Sequence, residues 1–293
     1  MKLVSIIMTC FNGEKYLQES ISSILSQNYQ NWELIFVDNN STDKSKEILS
    51  DFKDNRIRYF KLNSTVNLGK IRKFAFLKCR GELISFLDVD DYWDKSKLTD
   101  QVEIFETNKN AEIVYSNYYQ INSGNPKKNI KKLYSGFCYK NIIKGYIEGK
   151  PLTAWLTLMI KKDIIEKLEY SFDENLHISS DFDLIIRLGK DSYFDFSEKY
   201  LGYYRIHSLN LSKDNSQEIK ELSYIISKYK TNLEISKLLN LKNFADKILL
   251  KNYINNKISN INNCKSIILK SVFFKILFLI IKMTPTKILK FFK

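Results

Sequence analysis

The sequence predicts an α/β protein, a doubly wound and mostly parallel sheet followed by a C-terminal helical extension. Three observations lead there. Short apolar runs alternate with helix-spaced apolar positions through the first third of the chain. Polar and acidic residues follow directly on the ends of those runs. Beyond about residue 210 the strand-like runs stop and only helical patterns continue.

The elements follow in order. Residues 3–8 form an apolar run read as the first strand, and residues 14–26 carry Leu17, Ile21, Ile24 and Leu25 at helical spacing. A second strand is expected at 34–37. Ser41 and Thr42 then offer an N-cap for a helix entered through Ser45. Strands at 57–60 and 83–87 are separated by a helix at 70–79, and another helix is expected at 97–106. Strands separated by helices pair in parallel, and right-handed crossovers bring their C-terminal ends to one edge. Open α/β sheets bind ligands at that edge. Here it gathers Thr9-Cys10-Phe11-Asn12, Asp38-Asn39-Asn40-Ser41, and the aspartates of "GELISFLDVDDYW" (81–93), namely Asp88, Asp90 and Asp91.

The second half continues with a strand at 113–121, a polar, lysine-rich loop at 122–132, a strand at 158–160 and a helix at 162–168. Ser179 and Ser180 cap a helix running through Asp183 to Leu188. Two strands are expected at 193–196 and 201–206. Residues 217–293 contain no glycine and one proline, Pro285, which places a domain boundary near 210–215. The expected organisation is a catalytic-type α/β domain at 1–212 and a helical, lysine-rich region at 213–293.

The 293 residues carry a formal net charge of +13, which favours an anionic partner. The excess is concentrated, with ten lysines and no acidic residue from Lys247 onward. Four cysteines without CxxC spacing argue against a disulfide framework or a zinc site. The apolar start of the chain is too short for a secretory leader and is read as a strand.

Three carboxylates within four positions repel one another unless a cation joins them. Hard divalent ions, Mg²⁺ or Mn²⁺, bind one or two carboxylates together with phosphate oxygens, which suits a diphosphate ligand. A solvated turn is the plain alternative. A phosphatase with an aspartyl nucleophile is a further one. Against it, the motif follows the fourth strand, and Tyr92 stands where a small or β-branched residue is expected.

Five segments carry a family resemblance. "VSIIMTCFNGEKYLQESISSILSQNYQNWELIFVDNNSTDKS" (4–45), "NLGKIRKFAFLKCRGELI", "FLDVDDYW", "SSDFDLIIRL" and "YYRIH" resemble, in order and spacing, the family 2 glycosyltransferases. These are inverting enzymes of GT-A fold that use nucleotide sugars, and the likeness covers roughly residues 3–210. The resemblance implies that Thr9 and Phe11 line the nucleotide, with Glu14 a candidate in the same loop or an ordinary first-turn glutamate. It implies that Asp38 accepts a hydrogen bond from the base and that Arg72 meets the nucleotide or diphosphate. Asp88 is expected to bind the donor, facing ribose or a metal-bound water, and Asp90 to ligate the metal, and Asp91 either shares the metal or caps the next segment. His207 completes the metal shell or meets the diphosphate, or is a surface residue at a strand end. Asp181 is the implied base, preferred over Asp183, which has a structural reason to exist in an i,i+4 pair with Arg187. The family usually has Glu-Asp where this chain has Ser180-Asp181. Trp155 and Thr157 fall where an acceptor would sit, or in the core.

The resemblance thus implies a hexosyl- or N-acetylhexosaminyl-transferase. It would move a sugar from a donor, UDP-linked by expectation, to a lipid-linked or surface glycan. The tail "SIILKSVFFKILFLIIKMTPTKILKFFK" (266–293) is too often broken by lysine to span a membrane. Its pattern suits a helix lying in the interface of an anionic membrane, hence peripheral association with the inner face of the plasma membrane. A helix packed on the domain is the alternative. No nucleic-acid recognition motif accompanies the lysines.

Overall fold

The computed structural model describes residues 1–122, 125–129, 134–138, 141, 154–189, 191–208, 210–211 and 215–229. The chain divides into two compact units, Met1–Lys213 and Asp214–Lys293.

The first unit opens with β1 (Val4–Cys10), α1 (Leu17–Leu25), β2 (Trp32–Asp38), α2 (Ser45–Asp51), β3 (Ile57–Lys61), α3 (Leu68–Lys78) and β4 (Leu83–Phe86). These strands lie in the order β3-β2-β1-β4, all parallel. Side chains alternate across the sheet with period two. Ile7, Ile35 and Val37 join one buried cluster together with Ile71 and Ala75 of α3. Ile6, Met8, Leu34 and Phe36 join the other together with Leu17, Ile21 and Ile24 of α1. Both faces are therefore covered, and the strands read as continuous apolar runs for that reason. The winding direction reverses between β1 and β4, and a reversal of this kind opens a crevice at the C-terminal ends of the two strands.

The sheet continues through β5 (Tyr92–Trp93), β6 (Ile113–Asn122), β7 (Asn125–Asn129), β8 (Met159–Lys161) and β9 (Phe194–Ile206). Its order from β4 onward is β8-β6-β9-β5, with β7 pairing β6. Only β6 and β9 are parallel in this half; the other pairings are antiparallel. The described residues of the unit also form helices α4 (Lys97–Thr107), α5 (Lys162–Glu166) and α6 (Ser180–Gly189). In the second unit the described residues form one helix, α7 (Asn215–Tyr229).

Two expectations are corrected. The lysine-rich loop contains a strand, since Asn125–Asn129 pairs with β6 through Asn122↔Asn125 and Tyr118↔Asn129. A polar edge strand lacks the apolar alternation that reveals a strand in sequence. The two strands expected at 193–196 and 201–206 are one. β9 runs through the polar Ser197-Glu198-Lys199 segment with irregular register against Ser116–Tyr118, where Asn117 Nδ2 donates to the Glu198 carbonyl at 2.9 Å. A bulge of this kind keeps a strand continuous while disrupting its alternation.

Gly69, in the first turn of α3, has a steric reason. A Cβ there would stand 1.9 Å from the Asp173 carbonyl oxygen, and the Gly69 N–H donates to the Leu176 carbonyl at 2.9 Å. Helix α3 is thereby pressed against the segment leading into α6, and side chains of the two helices can meet. At the opposite edge of the sheet, Glu33 is buried and accepts from Ser5 Oγ and the Arg80 N–H, each at 2.6 Å, and from Arg58 at 2.7 Å. Burial opposes its ionisation, but these donors hold the carboxyl below the usual carboxylate range.

Candidate active site

The loops after β1 and β2 brace each other at the crevice. Asn12 and Asn40 adopt left-handed φ values of 52° and 63°, which asparagine tolerates better than most residues. The Asn12 side chain accepts from the Thr42 N–H at 2.9 Å, and its own N–H donates to Ser41 Oγ at 3.0 Å. Phe11 is left projecting, 54% exposed. Thr9, partly buried between Met8 and Cys10 near the end of β1, is paired in register with Val37. Glu14 faces α2. Its carboxylate accepts from the Lys44 N–H at 3.0 Å, and its N–H donates to Asp43 Oδ2 at 2.9 Å.

Asp38, at the end of β2, is buried. One oxygen accepts from the Ser41 N–H at 2.8 Å and the other from the Tyr59 hydroxyl at 3.0 Å. A carboxylate has about four lone-pair sites, so each oxygen retains acceptor capacity. Burial and the Asp38 acceptor push the Tyr59 phenol up to about 12, which keeps it a donor.

The acidic loop follows β4. A tight turn sends the Asp91 N–H to the Asp88 carbonyl at 3.1 Å. Lys97, wholly buried beneath this region, donates to Ser85 Oγ of β4 at 2.8 Å and to Gln101 of α4 at 2.7 Å. The three aspartates then part. Asp91 turns inward and is buried, with Oδ1 accepting the Arg205 N–H at 2.8 Å. Burial, then the charges of Asp90 and Asp88, push its carboxyl well above the usual range. Asp88 faces the cleft with 36% of its side chain exposed. Loss of solvent around its carboxyl at the cleft floor pushes it up to about 6; Arg72 opposes the rise, and the charges of Asp90 and Asp181 add to it.

Asp90 points to the end of β9. Its Oδ2 stands 2.8 Å from His207 Nε2 and 3.3 Å from Asn210 Nδ2. Adjacent ligands on an octahedral ion held at about 2.0–2.1 Å lie about 3 Å apart. The Asp90–His207 spacing therefore fits two neighbouring ligands of one small cation. Among the described residues no group of three or more His, Cys, Asp or Glu side chains could hold a metal alone. Phosphate and water oxygens would complete such a shell, as they commonly do for Mg²⁺.

Arg72 is 4% exposed on α3. It donates to Ser180 Oγ at 2.7 Å and stands 3.5 Å from Asp88 Oδ1. Its guanidinium lies 4.4 Å from the Trp155 ring, which stacks on Phe86 at 3.8 Å. Trp155 and Thr157 are buried, so of their two readings the structure favours the core. Ser180 opens α6 beside Asp181, where the helix dipole favours a carboxylate. Asp183 is fully buried and bonded to Arg187 Nε at 2.8 Å. That pair accounts for Asp183 structurally and leaves Asp181 as the carboxylate bearing on Asp88.

Three further contributors carry little signal in the sequence. Arg205 lies inside the YYRIH segment without a role of its own there. Asn210 reads as loop, and Tyr16, whose ring meets that of His207 at 5.1 Å, reads as a helix-entry residue.

Comparison with known proteins follows the same lines. The profile of glycosyl transferase family 2 matches residues 5–168. An uncharacterized glycosyltransferase of Methanocaldococcus jannaschii is 33% identical over 98% of this chain and 91% of its own length. WfaP of Escherichia coli, a UDP-Glc:alpha-D-GlcNAc-diphosphoundecaprenol beta-1,3-glucosyltransferase, is 32% identical over 55% of this chain and 72% of its own. Among solved structures, S. aureus TarS 1-349 in complex with UDP-GlcNAc matches with a TM-score of 0.68 at 19% identity, covering 83% of this chain and 72% of that one. The structural likeness concerns the fold.

Proposed function

The chain belongs to glycosyl transferase family 2 and carries its GT-A fold, and from this premise we propose an inverting transferase that uses a UDP-sugar, a divalent metal and a lipid-linked or surface glycan acceptor. The observation that carries the reading is the Asp90–His207 pair, set beside Asp88 and Arg72 where the winding of the sheet reverses. Support for the donor and acceptor classes comes from WfaP, named for a UDP-sugar and a diphosphoundecaprenol-linked acceptor.

Phe11 and Thr9 form the rim on which the base rests, and Asp38 receives its ring N–H. Arg72, buried and holding a neutral serine, keeps positive charge directed at Asp88 and the diphosphate. Asp90 and His207 would hold the divalent ion. When bound, that ion neutralises charge on the departing diphosphate. Asp181 takes the proton of the acceptor hydroxyl as the sugar's anomeric carbon is attacked from the face opposite the leaving group.

Asp90→Ala tests the centre of this reading. UDP binding in Mn²⁺, followed by calorimetry, is expected to weaken by at least about ten-fold, with metal-free binding little changed. Equal Mn²⁺-dependent affinity in the variant and the parent would overturn the metal assignment.

The tail at 266–293 lies outside the described residues, and among the described residues no helix is long and apolar enough to cross a membrane. The lysine-interrupted apolar sequence supports an interfacial helix at the cytoplasmic face, where nucleotide sugars are made. Removing 266–293 is expected to move the protein from the membrane pellet to the supernatant on fractionation. Unchanged partitioning would remove the tail from this role.

A further inference from the structure

Arg205 stands at the end of β9 with its contacts divided among several elements. Its backbone N–H donates to Asp91 Oδ1, and one guanidinium nitrogen donates to the Asp90 carbonyl oxygen at 2.7 Å. A second guanidinium nitrogen pairs with the Glu19 carboxylate of α1. The guanidinium carbon lies 4.8 Å from the ring centroids of both Tyr16 and Tyr92.

Neither tyrosine is isolated. Tyr16 meets the His207 ring at 5.1 Å. Tyr92 is in register with Tyr203 across β5 and β9, with rings 4.4 Å apart and 10° from parallel. Tyr203 continues onto Tyr119 of β6 at 5.0 Å and 13°. A row of rings crossing three strands thus ends on the guanidinium, which in turn grips the peptide of Asp90. Asn210 closes the arrangement from the other side, donating to both the Arg205 carbonyl and Asp90 Oδ2, at 3.1 and 3.3 Å.

We propose that Arg205 is a positioning residue. By fixing the Asp90 peptide between α1 and β9, it aims the Asp90 carboxylate at His207 and holds the two donors at the spacing of neighbouring cation ligands. It does this through Asp90 and needs no contact with the reacting atoms. A lysine cannot substitute, because the task needs two divergent donors on one plane together with a face for the rings. The proposal rests on the metal reading above and adds to it the element that sets the geometry.

The test uses the full chain, with Mn²⁺ titrated in the presence of saturating UDP and free Mn²⁺ read by electron paramagnetic resonance. UDP affinity without metal is measured alongside. Arg205→Lys is expected to weaken Mn²⁺ binding by about ten-fold or more while leaving metal-free UDP affinity within about two-fold. Glu19→Gln, a change in a side chain 59% exposed, takes the charge from one of the two anchors without touching the core and is expected to weaken Mn²⁺ about two- to three-fold. Parent-like Mn²⁺ affinity in folded Arg205→Lys overturns the proposal. So does a loss of UDP affinity equal with and without metal, which would mark a direct ligand contact or general disruption. If Arg205→Lys does not fold, Glu19→Gln decides, and unchanged Mn²⁺ affinity there also overturns it. A parent protein that binds no Mn²⁺ with UDP would instead sink the metal reading itself.

Discussion

Asp181→Asn is expected to lower the rate of UDP release from a UDP-sugar in Mn²⁺ by about 10²–10⁴-fold, the usual contribution of a positioned general base. Asn keeps the size of the side chain at the start of α6 and removes its ability to accept a proton. UDP affinity in Mn²⁺ should stay within about two-fold, because an interaction made in the transition state lowers the rate without altering ground-state binding. Asp183→Asn is the contrast. That carboxylate is fully buried against Arg187, so its loss should lower stability before it alters chemistry. Rates measured under single turnover and affinities measured by calorimetry separate the two variants. An Asp181→Asn enzyme turning over at the parent rate would leave the reaction without its proposed base.

Glu33→Ala is expected to reduce unfolding free energy by about 3–5 kcal/mol, the range for breaking a buried ion pair from one side. The change leaves Arg58, the Arg80 N–H and the Ser5 hydroxyl without their shared acceptor, at the point where β1, β2 and the turn into β4 meet. The effect carries a pH signature. Glu33 has a folded-state pKa below its unfolded value, so its contribution is complete above about pH 5 and is lost as pH falls through the folded pKa. Urea unfolding of parent and variant should therefore show a constant gap from about pH 5 to 8 and a narrowing gap below about pH 4. A gap independent of pH would assign the loss to packing alone.

Much of this was legible before any coordinates. β1 and β2 are buried on both faces and show it as the apolar runs Ile6–Met8 and Leu34–Val37. Leu17, Ile21 and Ile24 repeat at helical spacing and do face the sheet. Residues following such strands must line the sheet's C-terminal edge, so Asp38, Asp88 and Asp90 could be assigned to a cleft from position alone. β7 was hidden because an edge strand with polar residues shows no alternation. β9 was split because the bulge near Asn117 carries polar residues through a continuous strand.

The sequence by itself determined that Asp38, Asp88 and Asp90 reach the sheet's C-terminal edge, because burial period and strand ends are local properties of the chain. Tertiary structure decided what each one does there. It turned Asp91 inward and joined Asp90 to a histidine 117 positions away. It turned the Glu14 carboxylate to α2 and set Trp155 beneath Arg72. It also drew Arg205 from a strand end onto the acidic loop. The physical reason is that periodicity encodes the direction a side chain faces, whereas its partner depends on strand order, register and bulges contributed by segments far apart in the chain.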